Sequence, residues 1–164
     1  MNQQVKILLE IIESTRSMTK FYLKKLSFVD PLRDLEIGDK KLHGINWTVC
    51  HLMWAENFLL IESTGKEGMN FPWFEKVSIG SDYTISSELP PYSITFEAFN
   101  NLHKQAIEAI EKLTDEDLIK KASIILPFAK DTTIKDCIIH FIRHEGIHTG
   151  HLSWLAKLND TRVV

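Results

Sequence analysis

Between Ile139 and Leu152 the chain reads Ile-His-Phe-Ile-Arg-His-Glu-Gly-Ile-His-Thr-Gly-His-Leu, which places four of its seven histidines in one short stretch. His140, His144, His148 and His151 follow the spacing i, i+4, i+8, i+11, and a period of 3.6 residues gathers them into one row on a helix. Extended in both directions, the row meets Ile134, Cys137, Phe141, Leu152 and Leu155. The histidines are therefore expected to interrupt a core-facing stripe and to look into a helix bundle. A lone histidine at a helix edge is satisfied by water, but a buried group of imidazoles costs free energy unless its nitrogens are paired. A metal ion satisfies several at once, because two histidines one turn apart can bind the same cation.

The rest of the chain supplies the remaining helices. Residues from about Asn2 to Leu26 predict a first helix with Val5, Leu8, Leu9, Ile12, Met18, Tyr22 and Leu26 on its apolar side. After a connection rich in turn residues, a second helix is expected from Asn46, as N-cap, to about Ser63. On it Trp47, His51, Trp54, Phe58 and Ile61 share a face, so His51 also sits at a core position. The long segment from Gly65 to Ser93 carries Phe71, Trp73, Phe74 and Tyr83 and reads as a partly ordered flap over one end of the bundle. A third helix is expected from Ile94, capped by Ser93, to Leu113, with His103 close to its inward stripe. A short helix follows from Thr114 to about Lys121, then an extended piece from Ser123 to Asp131. Thr133 with Asp136 resembles a capping box opening the fourth helix, which runs to about Leu158. Gly146 and Gly150 inside that helix predict close approach of a neighbouring helix or a ligand. The fold class is all-α: a single domain over residues 1–164, a four-helix bundle with long crossover connections.

His144-Glu145-Gly146-Ile147-His148 matches the H-E-x-x-H pattern of zinc proteases. Such an enzyme needs a third ligand well downstream and a sheet beside its helix, and this chain offers neither. A di-iron carboxylate bundle needs two Glu-x-x-His helices, and only Glu145 with His148 has that spacing. What remains is a set of three imidazoles, His51 with His144 and His148, an open arrangement suited to a catalytic ion. The segment Asn46-Trp47-Thr48-Val49-Cys50-His51-Leu52-Met53-Trp54-Ala55-Glu56, paired with the stretch from His144 to Leu152, resembles the DinB-like superfamily. The resemblance implies that His51, His144 and His148 are ligands of a divalent metal ion, zinc or nickel first, with iron or manganese as further candidates. Gly150-His151-Leu152 stands where the family has Gly-Gln-Leu, which leaves open whether His151, His140 or His103 adds a contact.

Characterised members of that superfamily include metal-dependent transferases of bacillithiol or mycothiol, and a maleylpyruvate isomerase. The leading expectation is accordingly a thiol S-transferase acting on a small-molecule substrate, ahead of a metal-dependent hydrolase and a non-catalytic metal-binding module. The resemblance also implies a homodimer. A net charge of -3 is expected to exclude nucleic acid as a partner, and no uncharged run is long enough to span a membrane. Cys50 and Cys137 are too few for a disulfide framework and are expected to be small buried hydrophobes. With an N-terminus unlike a signal peptide, a reducing cytoplasm is the expected location.

Overall fold

The pattern of apolar residues becomes four long helices in the computed structural model, which describes residues 2–82, 84–129 and 131–161. These are α1 (Gln3–Lys25), α2 (Ile45–Glu56), α4 (Tyr92–Glu111) and α6 (Ile134–Leu158), with single-turn helices α3 (Phe74–Val77) and α5 (Asp115–Leu118) in the connections. The all-α bundle is as expected. Thr95 meets Asn46 and His103 meets Glu56, so α2 and α4 run parallel. Arg16 and Thr19 of α1 meet Glu145 and Thr149 of α6 in the same order, making that pair parallel as well. His51 and Trp47 meet His144 and His148 in the opposite order, so the two pairs are antiparallel to each other. A parallel α2–α4 pair requires the chain to travel back along the bundle, which is why the segment between them is long.

The expected capping box at Thr133 is present, and Thr114, whose segment begins the short helix, forms a second one. The Thr114 and Thr133 side chains accept from the backbone N–H groups of Asp117 and Asp136, whose carboxylates accept from the threonine N–H groups in return. The N-terminus of α1 has no cap of its own. Asp115 of α5 accepts from the Val5 N–H at 3.2 Å instead, satisfying a donor the helix leaves orphaned.

Other boundaries differ from expectation. Gly44 is the N-cap of α2 and Asn46 lies buried within the first turn, where its amide donates to Pro90 O at 2.9 Å and accepts from Thr95 Oγ1 at 2.6 Å. Asn46 thus fastens α2 to the start of α4 rather than starting a helix. Pro91, not Ser93, precedes the first residue of α4. At its far end α2 continues as a π-helical turn over Asn57–Ile61 and a 3₁₀ turn over Glu62–Thr64, ending where Gly65 takes a φ of 79°. The connection after α1, read as turns alone, holds an antiparallel hairpin, β1 (Leu35–Ile37) with β2 (Lys40–Leu42). Asp34 joins this hairpin region to the flap: its carboxylate accepts from the Gly44 N–H, the Ser86 N–H and the Ser86 hydroxyl. Tyr83, expected in the flap, lies outside the described residues. A Cβ added at Gly146 or Gly150 would meet nothing within 4 Å, so no neighbouring helix of this chain approaches those glycines.

The largest departure lies in the core. The buried stripe of α1 is Val5, Leu9, Ile12, Arg16, Thr19 and Leu23, while Met18 points to solvent. The buried stripe of α6 passes through Glu145 and Thr149 rather than through the histidine row, which lies along one flank of it. These polar residues face one another. Arg16 Nη2 donates to Glu56 Oε2 at 2.8 Å and to Glu145 Oε2 at 3.0 Å, and Arg16 Nε lies 2.8 Å from Glu145 Oε1. Thr19 Oγ1 donates to Glu145 Oε1 at 2.8 Å and shares a 2.7 Å hydrogen bond with Thr149. His103 Nδ1 lies 2.6 Å from Glu56 Oε1, so α4 joins the same network. Phe99 covers the guanidinium face at 3.8 Å. Burial alone would lower the Arg16 pKa, but the charges and hydrogen bonds of Glu56 and Glu145 outweigh it and raise it.

Removing one member of a buried charge network strands the others. Arg16→Met is expected to cost about 3–5 kcal/mol of unfolding free energy, measured by urea denaturation of the metal-free protein. Combining it with Glu56→Gln and Glu145→Gln should recover part of that loss.

Candidate metal centre

α2 is buried on nearly every side, so an imidazole on it must find partners within the protein. His51 finds one in the flap: its Nδ1 is 2.6 Å from the carbonyl of Val77, which can only accept. That contact places the proton on Nδ1 and turns Nε2, with its lone pair, towards α6. Trp47 stacks on the ring at 4.7 Å between centroids and 13° between planes, and Trp54 lies at 5.7 Å and 25°. The face Trp47–His51–Trp54 read from the sequence therefore acts as a holder for the imidazole.

His144 and His148 sit one turn apart on the flank of α6 that faces this ring. His144 Nε2 lies 3.1 Å from His51 Nε2. The ring centroids of the three histidines are 4.6–4.9 Å apart, and one nitrogen from each falls within 4.8 Å of the others. Two imidazole nitrogens that share an ion at about 2.0–2.1 Å, with ordinary interligand angles, lie roughly 2.9–3.4 Å apart. The 3.1 Å separation falls in that range, so the trio could hold a metal ion. The Nδ1 atoms of His144 and His148 are buried without a hydrogen-bond partner, a further sign that protein groups alone do not satisfy this corner.

The electrostatics suit a cation. Burial lowers the pKa of all three, bringing His144 to about 4 and His148 to about 2, with neighbouring imidazoles adding to the effect at both. Each is neutral at physiological pH, the form that ligates. Three other histidines lie outside the group of nitrogens that could hold one ion. His140 is half-buried, with its ring 5.8 Å from that of His144 and 4.7 Å from Phe128. His151 is exposed, edge-on to His148 at 5.0 Å. His103 belongs to the Arg16 network, bound to Glu56.

Two cavities meet at the trio. One of about 230 Å³ is lined by His51, His144 and His140, with Trp54, Phe58, Ile79 and the loop residues Ile125, Pro127 and Phe128 among its walls. The other, about 440 Å³, is lined by His148 and His151 together with Trp47, Trp154, Leu158 and Lys41 of β2. The flap does reach the site, through Val77 and Ile79. Sequence reasoning missed the hairpin and the loop after α5 as walls, and it missed the Arg16 network. Arg16 and Thr19 at i, i+3, set against Glu145 and Thr149 at i, i+4, were the available signal for that network.

The depressed histidine pKa values fix the sign of a pH dependence. Below about pH 6.5 the unfolded chain takes up protons that the folded pocket refuses until about pH 4 at His144 and lower still at His148. The metal-free protein should therefore lose stability as pH falls from 7.5 to 5, seen as a lower urea midpoint. Bound metal should be retained at neutral pH and lost on strongly acidic dialysis, as measured by elemental analysis.

Similarity to known proteins bears on the same features. The structure resembles the colibactin self-resistance protein ClbS, solved in complex with a dsDNA, with a TM-score of 0.58 at 18% sequence identity over 90% of this chain and 94% of that one. No curated protein matches the sequence. The ClbS complex overturns the expectation that this chain's partners exclude nucleic acid: a protein of the same fold is found with duplex DNA. Net charge, on which that expectation rested, is a sum over the molecule and says little about one face of it. The sequence match is to a metal-binding superfamily and takes in residues 9–152, from the first helix through all three clustered histidines, so the chain belongs to the DinB superfamily.

Proposed function

We propose that the protein is a metal-dependent thiol S-transferase in which His51, His144 and His148 hold one divalent ion, zinc or nickel in the first place and iron or manganese as further candidates. The observation that carries the reading is the position of three neutral imidazole nitrogens at the junction of two largely apolar cavities, leaving the remaining sides of an ion open to ligands from outside. Bound there, the metal would supply positive charge that favours the thiolate form of an incoming low-molecular-weight thiol at neutral pH. The protein's own groups would prepare the encounter. Val77 and the two tryptophans hold His51, and the apolar walls keep water from the reacting sulfur. The sulfur electron pair forms a bond to an electrophilic carbon, the leaving group departs with its own pair as an anion, and the thiol proton passes to solvent. The thiol comes from outside: burial pushes Cys50 up to about 12 and Cys137 up to about 11, so neither supplies a thiolate.

A hydrolase using metal-bound hydroxide fits less well. Glu145, the carboxylate nearest in sequence to the ligands, is fully buried and engaged with Arg16 and Thr19, away from any water at the centre. The proposal includes a homodimer, which light scattering tests, and a reducing intracellular setting. No helix among the described residues is long and apolar enough to cross a membrane.

A second reading takes its support from ClbS, found with dsDNA, and places duplex DNA among the partners. Titration of a labelled duplex tests it, and an affinity that falls steeply with added salt would support it.

The transferase reading predicts that protein purified without an affinity tag carries about one equivalent of metal per chain, and that His51→Ala loses most of it by elemental analysis. The metal-loaded protein should accelerate conjugation of a chloronitrobenzene to bacillithiol or mycothiol, and His51→Ala should lower that rate by more than the roughly 10–100-fold that losing a group hydrogen-bonded to a ligand costs. A rate no higher than background with every thiol tested would overturn the reading.

A further inference from the structure

The two cavities beside the histidine trio differ in chemistry. Among the residues lining the smaller one there is no Asp, Glu, Lys or Arg; apart from its imidazoles the wall is aliphatic and aromatic. The larger one includes Lys41, which is exposed and paired with Glu36 across the hairpin at 3.6 Å. A neutral ring would lose only water that the apolar wall holds poorly. The size is also restrictive. A cavity of roughly 150 Å³ accommodates one benzene, so about 230 Å³ has room for a single substituted ring. Trp54, Phe58 and Phe128 stand around that space and offer ring faces and edges to an aromatic guest. His51 and His144 lie in the same wall, so a ring seated there has its edge at the centre.

We propose that the smaller cavity, walled by Ile79 of the flap and by Ile125 and Phe128 of the loop after α5, is the subsite for the electrophile, and that it selects a group the size of one substituted aromatic ring. The assignment rests on the transferase reading for the word electrophile, but its seat and its selectivity are properties of the cavity. The thiol approaches from the larger cavity on the His148 side.

The test uses 1,3-dinitrobenzene, which has no leaving group and quenches indole fluorescence, titrated into the full-length metal-loaded chain. Saturable quenching is expected, most of it lost in Trp54→Phe. Ile125 and Trp154 are 74% and 64% exposed, so an acid at either position leaves the core intact, which a thermal melt checks. Ile125→Glu should weaken the probe at least tenfold, and Trp154→Glu in the larger cavity should leave its Kd unchanged. Absence of saturable quenching, an unchanged Kd in Ile125→Glu, or weakening confined to Trp154→Glu would each overturn the assignment. Turnover with a thiol is read separately: probe binding without conjugation would sink the transferase reading and leave the subsite standing, whereas conjugation without the expected probe binding would do the reverse.

Discussion

A guanidinium with no access to water is stable only where carboxylates neutralise it, and Arg16 meets two of them, on two different helices. Glu56 lies five residues beyond His51 on α2, and Glu145 lies between His144 and His148 on α6. The same charge that these acids require therefore also sets the distance and rotation between the two helices that carry the histidine trio. α4 is held to the network by His103 and α1 carries Arg16 itself, so all four long helices are registered at one level of the bundle. An apolar core could slide by a fraction of a turn at modest cost. A buried ion pair cannot, because its hydrogen bonds are directional and their loss leaves buried charge. The histidine corner inherits its geometry from an electrostatic lock behind it.

That arrangement explains what the sequence revealed and what it hid. The trio was legible because three signals agreed: a four-residue histidine spacing on one helix, a histidine on the aromatic face of another, and a resemblance that joined the two segments. Helix ends with a side-chain cap were legible too, as at Thr114 and Thr133, since the cap is local chemistry. The core itself was misphased. Periodicity seeks apolar residues, so on α1 it passed over Arg16 and Thr19 and took Met18 instead. On α6 it placed the histidines in the stripe that belongs to Glu145 and Thr149. Each polar residue looked like a surface position until its partner on another helix was known. No single segment carries that information.

The irregular parts were hidden for another reason. The strands of the hairpin are three residues each, too short for an alternating pattern to show, and the carbonyl of Val77 is backbone, invisible to any reading of side chains. Gly146 and Gly150 misled in the opposite direction. A glycine in a helix suggests a neighbour pressed close, but here both face open space. Electrostatic inference failed at a coarser level, since a small net negative charge was taken to exclude duplex DNA and a protein of the same fold is found with it.

The division of labour between bundle and connections carries a consequence for how such a scaffold can diversify. The nitrogen donors and the ionic lock reside on regular helices, whereas Lys41, Val77, Ile79, Ile125 and Phe128 all belong to the segments that join them. Connections tolerate insertion and replacement far better than a packed interior does. A lineage can therefore reshape the cavities by rewriting three surface excursions, each on its own, while the histidine-bearing bundle passes unchanged from one descendant to the next.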